Sequence, residues 1–508
     1  MNIRNFILCG VITVLAAGAS TAKAQAQQDP SATGASSLAP QPGAIPVTTS
    51  SVEALHWYEL GMREREDLLF IDKGLDSFRE AVKSDPHFAL GHATLAYFTP
   101  DPAEEKRERA LAQKNIGDAS PDEVLLIRWM NGTKDGEFVP AIAAMNDLLA
   151  KFPHDERLAN LDGEWLCSNQ AAFEPGEAVL KHLLQYDPKY FPAVNNLAYC
   201  YALSGQPKLA PALMEQYIAA LPNQPNPQDS YGEIMRMLGD YPAALDHYRK
   251  ALQIDPTFNT SQLGLASTYA LMGDEQRARA EYLTAIQGTK ERATQLDYRI
   301  LWAMTYYREN QLEQARKELV KISMEADRTG MAIEHAEAHR DMALFNPDAK
   351  AALRDIDHAR TALMTHEFAR GDRDNELASI LFARAFIAAR AGMENEVQKA
   401  LEPLAVMARS SRSNLVQNCF HSANGALLLV QGKYAEAIPE LEEDSQDPLT
   451  LQLLASAQSK AGQSAEAQKT LVTLAAINDE RVETAVAVPQ ARAALKSNSV
   501  STAQAGAH

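Results

Sequence analysis

Small and apolar residues return along most of this chain at spacings of three and four, in blocks that close on a glycine or a proline. That spacing puts side chains on one helical face, so the pattern predicts a succession of amphipathic helices and an all-α fold. The blocks also repeat. From Phe191 to Pro222 the chain carries Val194, Leu197, Ala198, Tyr201, Ala210, Met214 and Tyr217. A shift of about thirty-four residues, the length of one helical-pair repeat, meets Gln228, Tyr231, Gly232, Met235, Ala244, Tyr248, Ala251 and Pro256. A second shift meets Gln262, Leu265, Ala266, Tyr269, Ala278, Tyr282 and Ala285.

Within a unit, Leu197, Ala198 and Tyr201 mark a first helix, A, and Ala210, Met214 and Tyr217 a second, B. The alanines let A and B approach closely and the aromatics fill the space beside them. Gly205, Gly239 and Gly273 fall between the helices, where a residue without Cβ can take the left-handed conformation that ends helix A. Pro222 and Pro256 stop helix B. These residues resemble the tetratricopeptide repeat: a large residue, Leu-Gly or Leu-Ala, an aromatic, Ala, an aromatic, Ala and a closing Pro. The resemblance implies a right-handed superhelical solenoid of stacked antiparallel helix pairs, about a dozen hairpins. It also implies a concave face, lined mostly by helix A, that holds partner peptides.

The pattern extends with drift in both directions. Upstream it passes through Trp57, Leu60, Gly61, Phe78, Ala81 and Pro86, then His92, Leu95 and Ala96, then Leu125, Trp129, Ala141 and Met145, then Trp165, Leu180 and Leu183. Downstream it continues through Trp302, Ala303, Tyr306, Ala315 and Leu319, weakens, and returns at Ala385, Gly392, Gly425, Gly432, Tyr434, Ala455, Gly462 and Ala467. The expected organisation is a leader at 1–24, a flexible linker at 25–50, degenerate repeats at 51–190 and the central array at 191–329. A degenerate helical segment follows at 330–373, then further repeats at 374–481, and a capping helix with a frayed tail at 482–508.

The ends and the charge narrow the setting. One cation at Arg4, an apolar run from Phe6 to about Ala19 and the small-residue site Ala22-Lys23-Ala24 read as an export signal, since the run is too short for a bilayer span. The expected location is therefore periplasmic or secreted, with cleavage near Ala24. The stretch from Gln25 to Ser50 is rich in Ser, Ala, Pro, Gly and Gln and buries too little to order itself. Removing the leader, which carries Arg4 and Lys23 and no acid, takes the formal charge from −18 to −20. That argues against nucleic acid and anionic lipid as partners. Of Cys9, Cys167, Cys200 and Cys419, three survive processing, so they cannot all pair internally. Cys167 and Cys200 lie one repeat apart on neighbouring helices, whose usual axial spacing of about 8–10 Å disfavours a relaxed disulfide.

Catalytic patterns are missing: no Gly-x-Ser-x-Gly elbow, no phosphate-cradling glycine loop, no Cys-x-x-Cys and no His-Glu-x-x-His. The strongest metal candidate is His335 and His339, one turn apart in "HAEAH". Glu337 points away, a third ligand would have to come from His358 or His366, and with that set incomplete the pair reads as exposed surface. Tyr201, Tyr248, Tyr269 and Tyr282 occupy packing positions and so are core rather than sugar platforms.

The expectation is thus a protein-binding scaffold without a catalytic site, metal or cofactor. Carrying the family's groove positions onto this chain gives Asn195, Tyr199, Asp229, Glu233, Arg236, Met304, Tyr307 and Arg308 as candidate partner contacts. Leu203, Met237, Leu263, Ser267, Leu271 and Ile300 lie beside them. Asp229 and Glu233 do not suit the family's clamp for a C-terminal carboxylate; an extended segment with some basic character suits them better. Two other readings stand beside this one: a carbohydrate-binding or assembly component of polysaccharide export, and a metal-dependent hydrolase built on His335 and His339.

Overall fold

The computed structural model describes residues 43–67, 71–444 and 446–505. The predicted leader lies outside them, as does the linker up to residue 42. The described residues form α-helices joined by short turns, with brief 3-10 and π segments and no strand among them. Nearly every helix packs on its neighbour in sequence, so the chain is a stack of helical hairpins. The three central units are Phe191–Leu203 with Ala210–Ala220, Asn226–Met237 with Tyr241–Ile254, and Asn259–Leu271 with Glu275–Gln287.

The turn inside a unit shows how the local sequence makes a hairpin. Gly239 sits at φ +79°, which lets the Asp240 amide donate back to the Met235 carbonyl at 2.9 Å and close helix A. The Asp240 carboxylate then accepts from the Ala243 amide at 3.2 Å and opens helix B. Glycine with no Cβ can reverse the chain there, and an aspartate can cap the next helix. One unit later Asp274 repeats both roles toward Tyr269 and Arg277.

Packing follows the predicted contacts. Ala198, Ala210, Ala244, Ala251, Ala278 and Ala285 are all fully buried, as are Tyr248 and Tyr282. A small residue on helix A faces a large one on helix B: a Cβ built on Gly61 would lie 2.7 Å from the Phe78 ring, and one on Gly232 would lie 3.0 Å from the Tyr248 ring. Gly264, on helix A of the next unit, approaches the opposite side of Tyr248, where a Cβ would sit 2.3 Å away. The degenerate stretch at 330–373 also forms a hairpin, Ala332–Leu344 with Ala349–Met364. One hydrophobic core runs through it from Ala293 to Ala491.

Three features differ from expectation. Cys167 and Cys200 form a disulfide with Cα atoms 5.3 Å apart. Cys167 lies in a π turn, Trp165–Asn169, that ends its helix, and Gly176 packs directly on the Cys167 sulfur. The bulged turn displaces the cysteine from regular helical geometry, so the spacing of helix axes does not govern this pair. Closing a 33-residue separation contributes about 4 kcal/mol on a chain-entropy argument. The described end of the linker, residues 43–50, is held rather than free. The Ile45 amide donates to Asp155 at 2.8 Å, the Thr48 amide to Glu123 at 2.6 Å and the Thr49 hydroxyl to Asp85 at 2.6 Å. The last helix, Val482–Ala505, does more than cover the final repeat. It also reaches back to Arg292–Arg308 and Ala332–Leu344.

That return is part of a longer-range order. Arg79 pairs with Glu291 at 3.0 Å, Lys290 with Asp76 at 2.6 Å and Lys134 with Asp372 at 3.1 Å. The Asn414 amide donates to the Gln170 carbonyl, and Arg236 pairs with Glu480. Separations of 212, 238 and 244 residues correspond to about six to seven repeats, so these are contacts between successive turns of one superhelix. They are tight: a Cβ on Gly371 would meet the Lys134 carbonyl at 2.5 Å.

Alanine at position 264 tests the ring clamp. In an exposed helix a Gly→Ala change gains about 1 kcal/mol, but here overpacking against the buried Tyr248 ring costs about 1–3 kcal/mol. Gly264→Ala should therefore lower the thermal midpoint, whereas Gly117→Ala, with open space around its Cβ, should leave it unchanged or slightly raised.

Candidate functional site: the concave face of the central repeats

Polar residues on helices A of the central units form a buried network. The Tyr199 hydroxyl donates to Glu233 at 2.9 Å, and Arg236 donates to Glu233 at 2.8 Å. Asp229 accepts from Ser261 at 2.5 Å. Asn195, Tyr199, Asp229, Glu233 and Arg236 are all buried.

They are buried because the chain occupies its own groove. The turn at 476–481, between helices Ser464–Ala475 and Val482–Ala505, lies along this surface. Glu480 pairs with Arg236 and accepts from Ser267 at 3.4 Å, while its main-chain carbonyl accepts from Arg308 at 3.3 Å. Two residues earlier, Asn478 accepts from the Tyr241 hydroxyl at 2.9 Å and rests against Gly239. Of the eight expected contacts, Tyr199, Glu233, Arg236 and Arg308 converge around Glu480. Met304 borders the cavity that Glu480 also lines, whereas the Tyr307 ring is stacked on Phe345 at 3.9 Å. Asn478 and Glu480 carried no repeat signal; only the run of hydrogen-bonding groups in "INDER", placed in a turn, could have pointed to them.

A second charged layer lies next to the first. Arg340 pairs with Glu376 at 3.2 Å and lies beside Asp341, all three buried. Between the layers a cavity of about 40 Å³, bordered by Met304, Arg340, Asp341 and Glu480, has room for water and not for a peptide.

Burial disfavours the charged form of these acids. It raises Glu233 to about 7, with Asp229 and Glu480 adding repulsion that Arg236 only partly offsets. Burial raises Asp229 to about 6 and Asp341 to about 7. It also pushes the Cys419 thiol up to about 12, which keeps that group protonated and unreactive.

The second candidate cluster differs from its expected exposure. His335 and His339 are mostly buried, and His339, Asp355 and His358 come together. Burial alone would raise Asp355, yet His339 and Arg316 hold it at about 2.

With this geometry in hand, residues 232–273 match the family model described as TPR repeat. The chain carries tetratricopeptide repeats. No curated protein matches it. Among solved structures it is similar to PilW, a type IV pilus biogenesis factor, at 18% identity and TM-score 0.27, over 46% of this chain and 93% of that one. It is similar to a tetratricopeptide repeat protein from Parabacteroides merdae at 13% identity and TM-score 0.33, over 53% and 92%. It is also similar to the APC/C hetero-tetramer Cut9-Hcn1 at 15% identity and TM-score 0.41, over 80% and 76%. No helix among the described residues is long and apolar enough to cross a membrane.

The raised carboxylates make stability depend on pH. A carboxyl whose folded pKa lies above its unfolded value contributes stability that is complete below the unfolded value and is lost as pH rises through the folded one. For Glu233 that window runs from 4.5 to about 7. Glu233→Gln keeps an acceptor for Tyr199 and removes the titration. Its thermal midpoint should match wild type near the bottom of the window and exceed it above the top.

Proposed function

We propose that this chain is a non-catalytic scaffold of the cell envelope that grips extended protein segments on the concave face of its repeats. One observation carries the reading: the groove already holds a non-helical segment, and holds it through both a side chain and a main-chain carbonyl. Arg236 and Ser267 engage the Glu480 carboxylate, Arg308 its carbonyl, and Tyr241 the Asn478 side chain. Main-chain recognition with a few side-chain contacts is how helical and extended grooves bind peptides without reading a whole sequence. The resident segment has acidic character, which favours an acidic ligand over the basic one expected from Asp229 and Glu233. Those two acids face Ser261, Tyr199 and Arg236 rather than an incoming chain. A partner would compete with the resident segment, so affinity would be set by the difference between the two.

A labelled peptide of residues 475–484 tests the groove by fluorescence anisotropy. It should bind the doubly substituted chain Asn478→Ala, Glu480→Ala, and bind wild type at least about tenfold more weakly because one good charged contact is worth more than 1.4 kcal/mol. Equal or absent binding to both chains would reject the reading. Placement in the envelope rests on the leader pattern. Expression with that pattern intact in a Gram-negative host should give a periplasmic product whose intact mass begins at Gln25; retention of the full mass in the cytoplasm would remove it.

A further inference from the structure

The hairpin that departs most from the repeat pattern gathers imidazoles. His335 and His339 stand one turn apart on Ala332–Leu344, and Asp355 and His358 stand nearly one turn apart on Ala349–Met364. A short turn makes the two helices antiparallel neighbours, so the pairs face each other. Ligand atoms of His339, Asp355 and His358 all lie within 4.8 Å of one another. The His335 ring is 5.2 Å from the His339 ring, which is 5.2 Å from the His358 ring.

The donor atoms are aimed and available. Nδ1 of His335 and Nδ1 of His339 are buried without a hydrogen-bond partner. The nearest acids to them, Asp327 and Asp355, stand at 3.6 and 3.8 Å. From the preceding helix, the Ser323 hydroxyl lies 3.1 Å from His339 Nε2. When Nε2–H donates to that oxygen, Nδ1 carries the lone pair toward Asp355 and His358. A second partner that selects the tautomer in this way is what a metal-binding imidazole ordinarily has.

We propose that His339, Asp355 and His358 bind one zinc ion across this hairpin. Two imidazole nitrogens and one carboxylate oxygen, with a fourth position left for water, suit zinc, whereas calcium and magnesium require mostly oxygen ligands. The ion joins two helices of the unit whose repeat residues are weakest, and so adds a cross-link to that hairpin. Arg316 sets the affinity: it holds both Asp355 oxygens, at 2.8 and 3.1 Å, and places a cation beside the site. The inference stands independently of the groove, because no residue is shared.

Zinc titration of the full chain against a chromophoric chelator tests it. Wild type should take up one zinc per chain and gain thermal stability with it. His358→Ala, at an exposed position, should weaken binding about tenfold or more, the scale on which loss of a ligand or its support acts. Arg316→Gln should tighten binding several-fold by freeing Asp355. His421→Ala, in a remote pair with Glu440, should change nothing. Cobalt in place of zinc should give visible d–d absorption that His339→Ala abolishes. Failure of wild type to compete with the chelator, or affinity indifferent to His358→Ala, overturns the proposal.

Discussion

The structure depends on one steric relation: the Tyr248 ring lies between two backbones that have no side chain to keep it away. Gly232 belongs to the same hairpin and Gly264 to the next, so this ring sets both the spacing inside a unit and the spacing between units. Gly61 with Phe78, Gly163 with Leu180 and Gly425 with Leu441 repeat the inner half of that relation along the chain. Side chains packed at crystal-like density tolerate neither a gap nor an extra methyl group, so the angle between neighbouring hairpins is narrowly defined at each step. Small, similar rotations then add up to a regular curve.

Accumulated rotation brings the chain back onto itself after about six to seven repeats, and the consequences reach the groove. A shorter array would leave its concave face open to solvent. This one is long enough for its last repeats to enter the first turn, which puts the segment at 476–481 against Arg236, Ser267 and Arg308. Burying Arg236 between Glu233 and Glu480 is costly for each charge taken singly, and only mutual pairing makes it tolerable. The outcome is a polar seam inside the superhelix, where an apolar one would close the turns with less specificity of register.

This division explains what could be read from the chain. Hairpin contacts join residues about one or two helices apart, so Ala198, Ala210, Gly239 and Tyr248 declare their roles through spacing alone. Contacts between turns join residues more than two hundred positions apart and depend on the sum of many small angles, so no local pattern announces them. Hence Tyr199, Glu233, Arg236 and Arg308 were legible as inward-facing, while the occupant of their groove was not. Cys167 eluded the same reasoning because a π turn moved it off the helical lattice. His339, Asp355 and His358 meet across a hairpin; the histidines could be named from sequence, with His358 as one of two possible third ligands, while Asp355 carried no signal.

Closure also has an electrostatic character that differs from one edge to the other. Near the first repeats the turns are joined by pairs such as Lys290 with Asp76, whose side chains are 46% and 43% exposed. Such pairs contribute little and are screened by salt. At the other edge Arg236 and Glu480 are 3% and 7% exposed, beyond the reach of screening ions. Added salt therefore screens the exposed pair of Lys290 and Asp76 while leaving the late edge in place, and the largely buried pair of Arg79 and Glu291 beside it is screened less. The groove segment belongs to the edge that stays shut. A partner that reaches the groove must displace a buried ion pair directly, because ionic strength will not lift the segment for it.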